Sequence, residues 1–123
     1  MAGPITGNEM LNEYGRGTDL LKIPAGATEY TASRIAGPED VGKIAYINSA
    51  SANSFTIPPD GGAPFLTGSL VTVCQWGAGA TTIVAGSGVT IRCAATLVLV
   101  GQYAIASVVK RGPNEWLAFG NLT

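Results

Sequence analysis

Histidine is absent from this chain, cysteine occurs twice, and charged side chains make up 12% of it. Each shortage excludes something. Without imidazole there is no Ser/His/Asp or Cys/His relay, and neither thiol has a base or cation near it in sequence to activate it. Two sulfurs and no histidine cannot complete a structural zinc site. The seven basic residues are scattered except for the pair Lys110-Arg111, and the net charge is -1, so no field gathers phosphates and nucleic-acid binding is not expected. The opening MAGPITGNEM has neither a basic n-region nor an apolar core, which argues against a signal peptide. The longest apolar stretch, from Ala94 to Val100, includes Thr96 and is too short to span a bilayer.

Charge is scarcest in the middle of the chain. From Ile44 to Val109 the only formal charges are Asp60 and Arg92. Ordinary soluble domains carry about a quarter charged residues, so a small domain built this way implies a surface that other subunits cover. A length of 123 residues leaves room for a single core.

Two textures divide the chain. Up to Asp40 it holds every acid except Asp60 and Glu115, with frequent Gly, Pro and Thr, which suits an extended N-terminal arm over residues 1–40. The one helical candidate there is Thr31 to Ala36, ended by Gly37-Pro38, and Glu39-Asp40 reads as a solvated turn. From residue 41 to 123, short β-type runs alternate with turn residues, the pattern of an all-β domain. Strands are expected at Gly42 to Ile47, Ser54 to Ile57, Leu70 to Gln75, Thr81 to Val84, Val89 to Cys93, Thr96 to Val100, Tyr103 to Lys110 and Glu115 to Phe119. Together they suggest a compact antiparallel β-sandwich, jelly-roll-like. Pro58-Pro59-Asp60-Gly61-Gly62 cannot continue a ladder, and Gly112-Pro113-Asn114 closes a loop.

Alternation assigns sides. Val71, Val73 and Gln75 oppose Leu70, Thr72, Cys74 and Trp76, while Tyr103, Ile105, Ser107 and Val109 oppose Ala104, Ala106 and Val108. Neither side of these strands is polar enough to be simply wet, which implies burial against neighbouring subunits.

Gly77-Ala78-Gly79-Ala80 and Gly86-Ser87-Gly88 resemble phosphate loops only superficially, because β-type residues follow each where a helix would be needed. Both are expected to be hairpin turns. Their nine-residue echo, GAGATTI against GSGVTIR, fits a β-meander better than a solenoid, which needs at least three copies. Cys74 and Cys93 read either as buried reduced thiols or as a disulfide across neighbouring strands. A carboxylate pair could act on glycosides, but the acids are concentrated in the arm. Trp76, Trp116, Tyr46 and Tyr103 could form a carbohydrate-stacking platform; rings in such contexts more commonly fill cores or subunit contacts. Tyr46, Trp76, Tyr103, Trp116 and Phe119 are accordingly assigned to core or subunit interface.

Several separated pieces carry a family resemblance: NSFTIP at Asn53–Pro58, then Phe65 and Gly68, QWGAG at Gln75–Gly79, VAGSGVTIR at Val84–Arg92, LVGQYA at Leu99–Ala104 and VKRGPNEWLAFGNL at Val109–Leu122. In this order and spacing they resemble a β domain of tailed-bacteriophage virion proteins, found in tail fibres, head fibres and capsid-associated proteins. The match covers roughly residues 41 to 122. PITGNE at Pro4–Glu9 is similar to an LTGNE opening that joins phage fibres to the particle. Cys74 and Cys93 depart from the pattern, so it assigns them no role.

The resemblance implies a homo-oligomeric capsid decoration or cement protein, or a head-fibre base, on the capsid exterior of a virion assembled in the host cytoplasm. Its partners would be itself, as a trimer by analogy with fibres or else a dimer, and the major capsid protein. Pro4, Ile5, Thr6, Gly7, Asn8, Glu9, Met10 and Leu11 would form the capsid-binding arm. No cofactor, nucleic acid or membrane enters this reading. The alternative is a short tail-fibre or adhesin component that binds a host glycan or another tail protein, with an enzyme such as a depolymerase third.

Overall fold

A computed structural model describes residues 27–123. The segment from Pro4 to Leu11, expected to bind the capsid, lies outside the described residues. Among the described residues nine strands run in chain order: β1 Ala27–Tyr30, β2 Arg34–Ile35, β3 Ile44–Ile47, β4 Asn53–Ile57, β5 Leu70–Gln75, β6 Thr81–Ala85, β7 Thr90–Cys93, β8 Ile105–Gly112 and β9 Glu115–Gly120. A 3₁₀ turn at Pro38–Asp40 precedes β3. The expected all-β class holds for the described residues.

Pairing departs from expectation. A six-stranded sheet has the order β1-β3-β5-β8-β9-β7 and a three-stranded sheet the order β2-β4-β6. Five of the seven strand pairings are parallel; only β5–β8 and β8–β9 are antiparallel. The antiparallel jelly-roll connectivity therefore gives way to stacked coils. As far as β6 the chain alternates between the sheets, and each strand lies parallel to the strand one coil earlier. Thus Tyr30 pairs with Ile47 and Ile47 with Gln75 in one sheet, while Asn53 pairs with Thr81 in the other. The β8–β9 hairpin, turned at Gly112–Asn114, completes the large sheet, and β7 joins its far edge parallel to β9.

The corners explain why coils win over hairpins. Gly77-Ala78-Gly79-Ala80 links β5 of one sheet to β6 of the other and lies on the corner Ser49-Ala50-Ser51 of the preceding coil. A Cβ on Gly77 or Gly79 would fall closer than 3 Å to the backbone of Ser49 or Ser51. Gly79 N–H donates to Ser49 O at 2.8 Å, and Gly77 N–H to Ile47 O at 3.1 Å. Gly86-Ser87-Gly88 likewise passes between sheets, so neither glycine run is a hairpin and the nine-residue echo is not a meander.

Side chains satisfy the buried corner groups. Thr81 Oγ1 donates to Asn53 Oδ1 at 2.6 Å, Asn53 Nδ2 donates to Ser51 O at 3.0 Å, and Gln75 Oε1 accepts the Thr81 N–H at 3.1 Å. A buried polar group without a partner costs about 1–3 kcal/mol, which accounts for amide and hydroxyl side chains at these inward positions.

Both sheets feed one core. Ile47, Val71, Val73, Val108 and Trp116 from the large sheet meet Phe55, Ile57 and Ile83 from the small one. Their alternation matches the sequence reading, with Val71, Val73, Ala104, Ala106 and Val108 facing inward. The loop 58–69 lays Phe65 edge-on against Trp116, centroids 5.1 Å apart. Lys110, inward at the end of β8, anchors that loop: Nζ donates to Asp60 Oδ1 and to Phe65 O, both at 2.7 Å.

The N-terminal part shows further differences. Residues 27–40, grouped with the arm in sequence, contribute β1 and β2, and the expected helix at Thr31 to Ala36 is replaced by a corner and β2. Asp40 is buried rather than solvated, because Arg34 Nη2 binds its carboxylate at 2.9 Å and Gly37 N–H donates to it at 2.8 Å. The segment 96–100 forms no ladder strand; it makes isolated bridges, Val98 to Thr82 and Leu99 to Leu122.

Candidate functional site

Trp116 is 1% exposed and belongs to the core, whereas Trp76 is 44% exposed and Tyr103 62%. The difference follows from strand parity. Trp116 alternates inward on β9, while Trp76 follows inward Gln75 and emerges just past the end of β5. Tyr46 is half-buried on the outer side of β3, and Phe119 is exposed on the outer side of β9. The structure thus brings together three of the singled-out rings and leaves Trp116 and Phe119 elsewhere.

The three rings form a ledge. Trp76 lies edge-to-face with Tyr46, centroids 5.6 Å apart at 84°, and with Tyr103, 5.0 Å apart at 69°. Tyr103 is presented by a turn in which Ala104 N–H donates to Gly101 O at 3.1 Å. Its φ is +70°, a left-handed conformation that glycine or asparagine ordinarily fills at such a turn. A bulky side chain held there costs of order 1–3 kcal/mol. Gln102 braces the turn by donating from Nε2 to Trp76 O at 3.2 Å.

Beside the rings a cleft of about 390 Å³ is lined by Thr28, Glu29, Tyr46 and Trp76. Glu29 and Tyr46 are register partners on β1 and β3, and Asn48 Nδ2 donates to Glu29 Oε2 at 3.0 Å. A carboxylate held by an amide therefore stands next to two partly exposed aromatic rings. Sequence reasoning missed Thr28, Glu29 and Asn48. Their signal was the run Tyr30-Thr31-Ala32-Ser33, a shortened counterpart of Ile47-Asn48-Ser49-Ala50-Ser51 one coil later.

Among the described residues, no three His, Cys, Asp or Glu side chains are grouped to hold a metal ion. Cys74 and Cys93 are both free thiols. Cys74 is buried between the register partners Tyr46 and Ile105, and burial raises its pKa above that of an ordinary thiol. Lowered carboxyl pKa values lie away from the cleft. Hydrogen bonding to Lys110 lowers that of Asp60, and to Arg92 that of Glu115.

A second surface is larger. The outer face of the six-stranded sheet carries Leu70, Val109 and Leu117 in one register row, Ile44, Thr72, Ser107 and Phe119 in the next, and Tyr46, Cys74 and Ile105 in a third. Thr72 Oγ1 and Ser107 Oγ share a hydrogen bond at 2.8 Å, so the polar groups in its middle are partnered across the strands. Charge is confined to the rim, where Glu115 bridges Arg92 at 2.9 Å and Arg111 at 3.1 Å.

Comparison with protein-family models, curated proteins and solved structures finds no match to this chain.

Proposed function

We propose that this chain is a structural component of a tailed-phage virion, a homo-oligomeric capsid decoration or cement protein or a head-fibre base, that associates through the outer face of its six-stranded sheet. The observation that carries the reading is the composition of that face, apolar rows around one mutually hydrogen-bonded hydroxyl pair with ions only at the margin. Stable protein interfaces have this anatomy, an apolar centre deprived of charge inside a polar rim. Leu70, Ile105, Leu117 and Phe119 each leave more than a third of their surface open in the single chain. A second copy would remove it from water, at roughly 25 cal/mol per Å² buried.

The pieces resembling phage virion proteins, and the PITGNE opening, support the virion setting and give the arm its role. On a particle, many copies raise the effective concentration of each weak arm contact. Light scattering on the purified chain is expected to report an oligomer. Leu117→Lys and Phe119→Lys would dissociate it while leaving the near-ultraviolet circular dichroism unchanged. A wild-type monomer at tens of micromolar would refute self-association. Deleting Met1 to Leu11 should abolish association with phage heads and leave the β domain folded; retained head binding would remove the arm from the proposal. Density for the chain at the tail rather than the head would favour the second reading, a short fibre or adhesin component, which the exposed rings at Trp76 and Tyr103 also suit.

A further inference from the structure

We infer that the cleft between Glu29, Tyr46 and Trp76, with the Tyr103 ring packed against Trp76, is a binding site for a neutral pyranose carbohydrate. Three observations converge on it. The first is the ledge, in which Trp76 packs edge-to-face with Tyr46 and Tyr103 and still leaves 44% of its surface to solvent. An aromatic face carries partial negative charge, so it attracts the weakly positive C–H groups lining one side of a sugar ring.

The second is a polar pair of which Glu29 lines the cleft and Asn48 braces it from beside. Glu29 and Asn48 hold each other at 3.0 Å. A carboxylate accepts from two hydroxyls, and the Asn48 amide offers both a donor and an acceptor. That combination suits adjacent ring hydroxyls, while the carboxylate would repel uronic or sialic acids. Apolar walls with a few placed polar groups are the usual make-up of a small-molecule site.

The third is the strain at Tyr103. Its ring is largely exposed, so burial does not offset the left-handed backbone that holds it. Glycine would fit the turn without strain. What a tyrosine adds is a second ring beside Trp76, and strained residues of this kind cluster at ligand clamps. The cleft lies at the β1 edge of the sheet and shares Tyr46 with the third outer-face row, and the inference does not rest on the assignment of those rows to self-association.

Calorimetric and tryptophan-fluorescence titrations with cellohexaose, laminarihexaose and chitohexaose, with oligogalacturonate as the acidic comparison, test it. At least one neutral probe is expected to bind saturably and perturb tryptophan emission, while oligogalacturonate binds at least tenfold more weakly. Trp76→Ala should weaken binding at least tenfold and Glu29→Ala several-fold. Tyr103→Gly should weaken it in a protein that is still folded, and Tyr103→Phe should retain it. No saturable binding of any neutral probe overturns the inference, and so does binding that Trp76→Ala leaves intact. If Trp76→Ala instead lowers the oligomeric mass and no sugar binds, the ledge belongs to the contact between copies and the carbohydrate site is refuted. Loss of self-association with sugar binding intact would refute the assembly reading alone.

Discussion

Replacing Gly79 with alanine adds one methyl group at the tightest point between coils. Gly79 does not occupy left-handed backbone, so alanine meets no torsional obstacle there. The obstacle is Ser51, whose carbonyl group lies closer than 3 Å to the new Cβ, with Ser49 O at 2.8 Å. Main chain cannot rotate aside as a side chain can, so the corner 76–80 must lift from the corner 48–52. Overpacking typically costs 1–3 kcal/mol. Lifting also stretches two hydrogen bonds between the coils, Gly79 N–H to Ser49 O at 2.8 Å and Asn53 N–H to Ala80 O at 2.9 Å. Each is worth about 1 kcal/mol, which places the total near 3–5 kcal/mol. Against a typical reserve of about 5–15 kcal/mol, that is a large loss.

Urea unfolding followed by tryptophan fluorescence, at fixed protomer concentration because self-association contributes to apparent stability, measures the effect. Gly61→Ala is the control: a Cβ there meets nothing within 4 Å, and the change should be neutral or stabilise by about 0.4–1 kcal/mol through the unfolded chain. A Gly79→Ala midpoint equal to that of Gly61→Ala would refute the stacked corners.

Trp116→Ala should cost about 3–5 kcal/mol, the usual range for emptying a large ring from a core, and an unchanged melting curve would remove Trp116 from it. Since its buried Nε1 has no partner, Trp116→Phe should cost much less than alanine. Asp60 has its pKa lowered first by the hydrogen bond from Lys110, so its contribution is fully present above the ordinary carboxylate value of about 3.9 and is lost as pH falls through the lower folded value. The stability difference between wild type and Asp60→Asn should therefore shrink below about pH 4; a difference unchanged at pH 2 would show that the ion pair is not its source. Under native conditions a thiol reagent should label half-buried Cys93 well before Cys74, and equal rates would mean that the outer face opens readily.

How legible this fold was depends on which level is asked. The strands after residue 41 could be read because Val71, Val73 and Val108 alternate with residues of different character, a period that survives any topology. The partners of those strands could not. A run such as Gly77-Ala78-Gly79 permits a hairpin or a sheet-to-sheet corner equally, and the deciding contact is with Ser49 and Ser51, distant in sequence. β1 and β2 escaped notice because they are short and lie among the acids and prolines that suggested an arm. Lys110 gave no sign of burial, since a lysine ending a strand ordinarily reaches water, and its acceptors Asp60 and Phe65 O come from a loop far back in the chain. The aromatic cluster was half legible: the residue types were singled out, and parity set Trp76 opposite Val71 and Val73 without telling which side faced water, while the exposure of Tyr103 depends on a backbone angle that no periodicity encodes.

The treatment of the sheet edges bears on how copies would meet. Parallel coils present unpaired backbone at each end of a stack, an invitation to edge-to-edge growth that proteins usually suppress. The β6 edge is closed by the segment after Thr96: Leu99 N–H donates to Thr81 O and Ile83 N–H to Leu97 O. That segment is held in turn by the chain end, where Thr123 N–H donates to Val98 O at 3.0 Å. β7 is four residues long and carries Arg92, and β2 is only two residues long. Short strands, a charged edge and a covering segment all oppose growth along the hydrogen-bond direction. The outer face of the large sheet has no such protection at its centre. Three of the four described edges are guarded in this way while one face stays apolar, an arrangement that fits the proposed association through that face better than growth edge to edge.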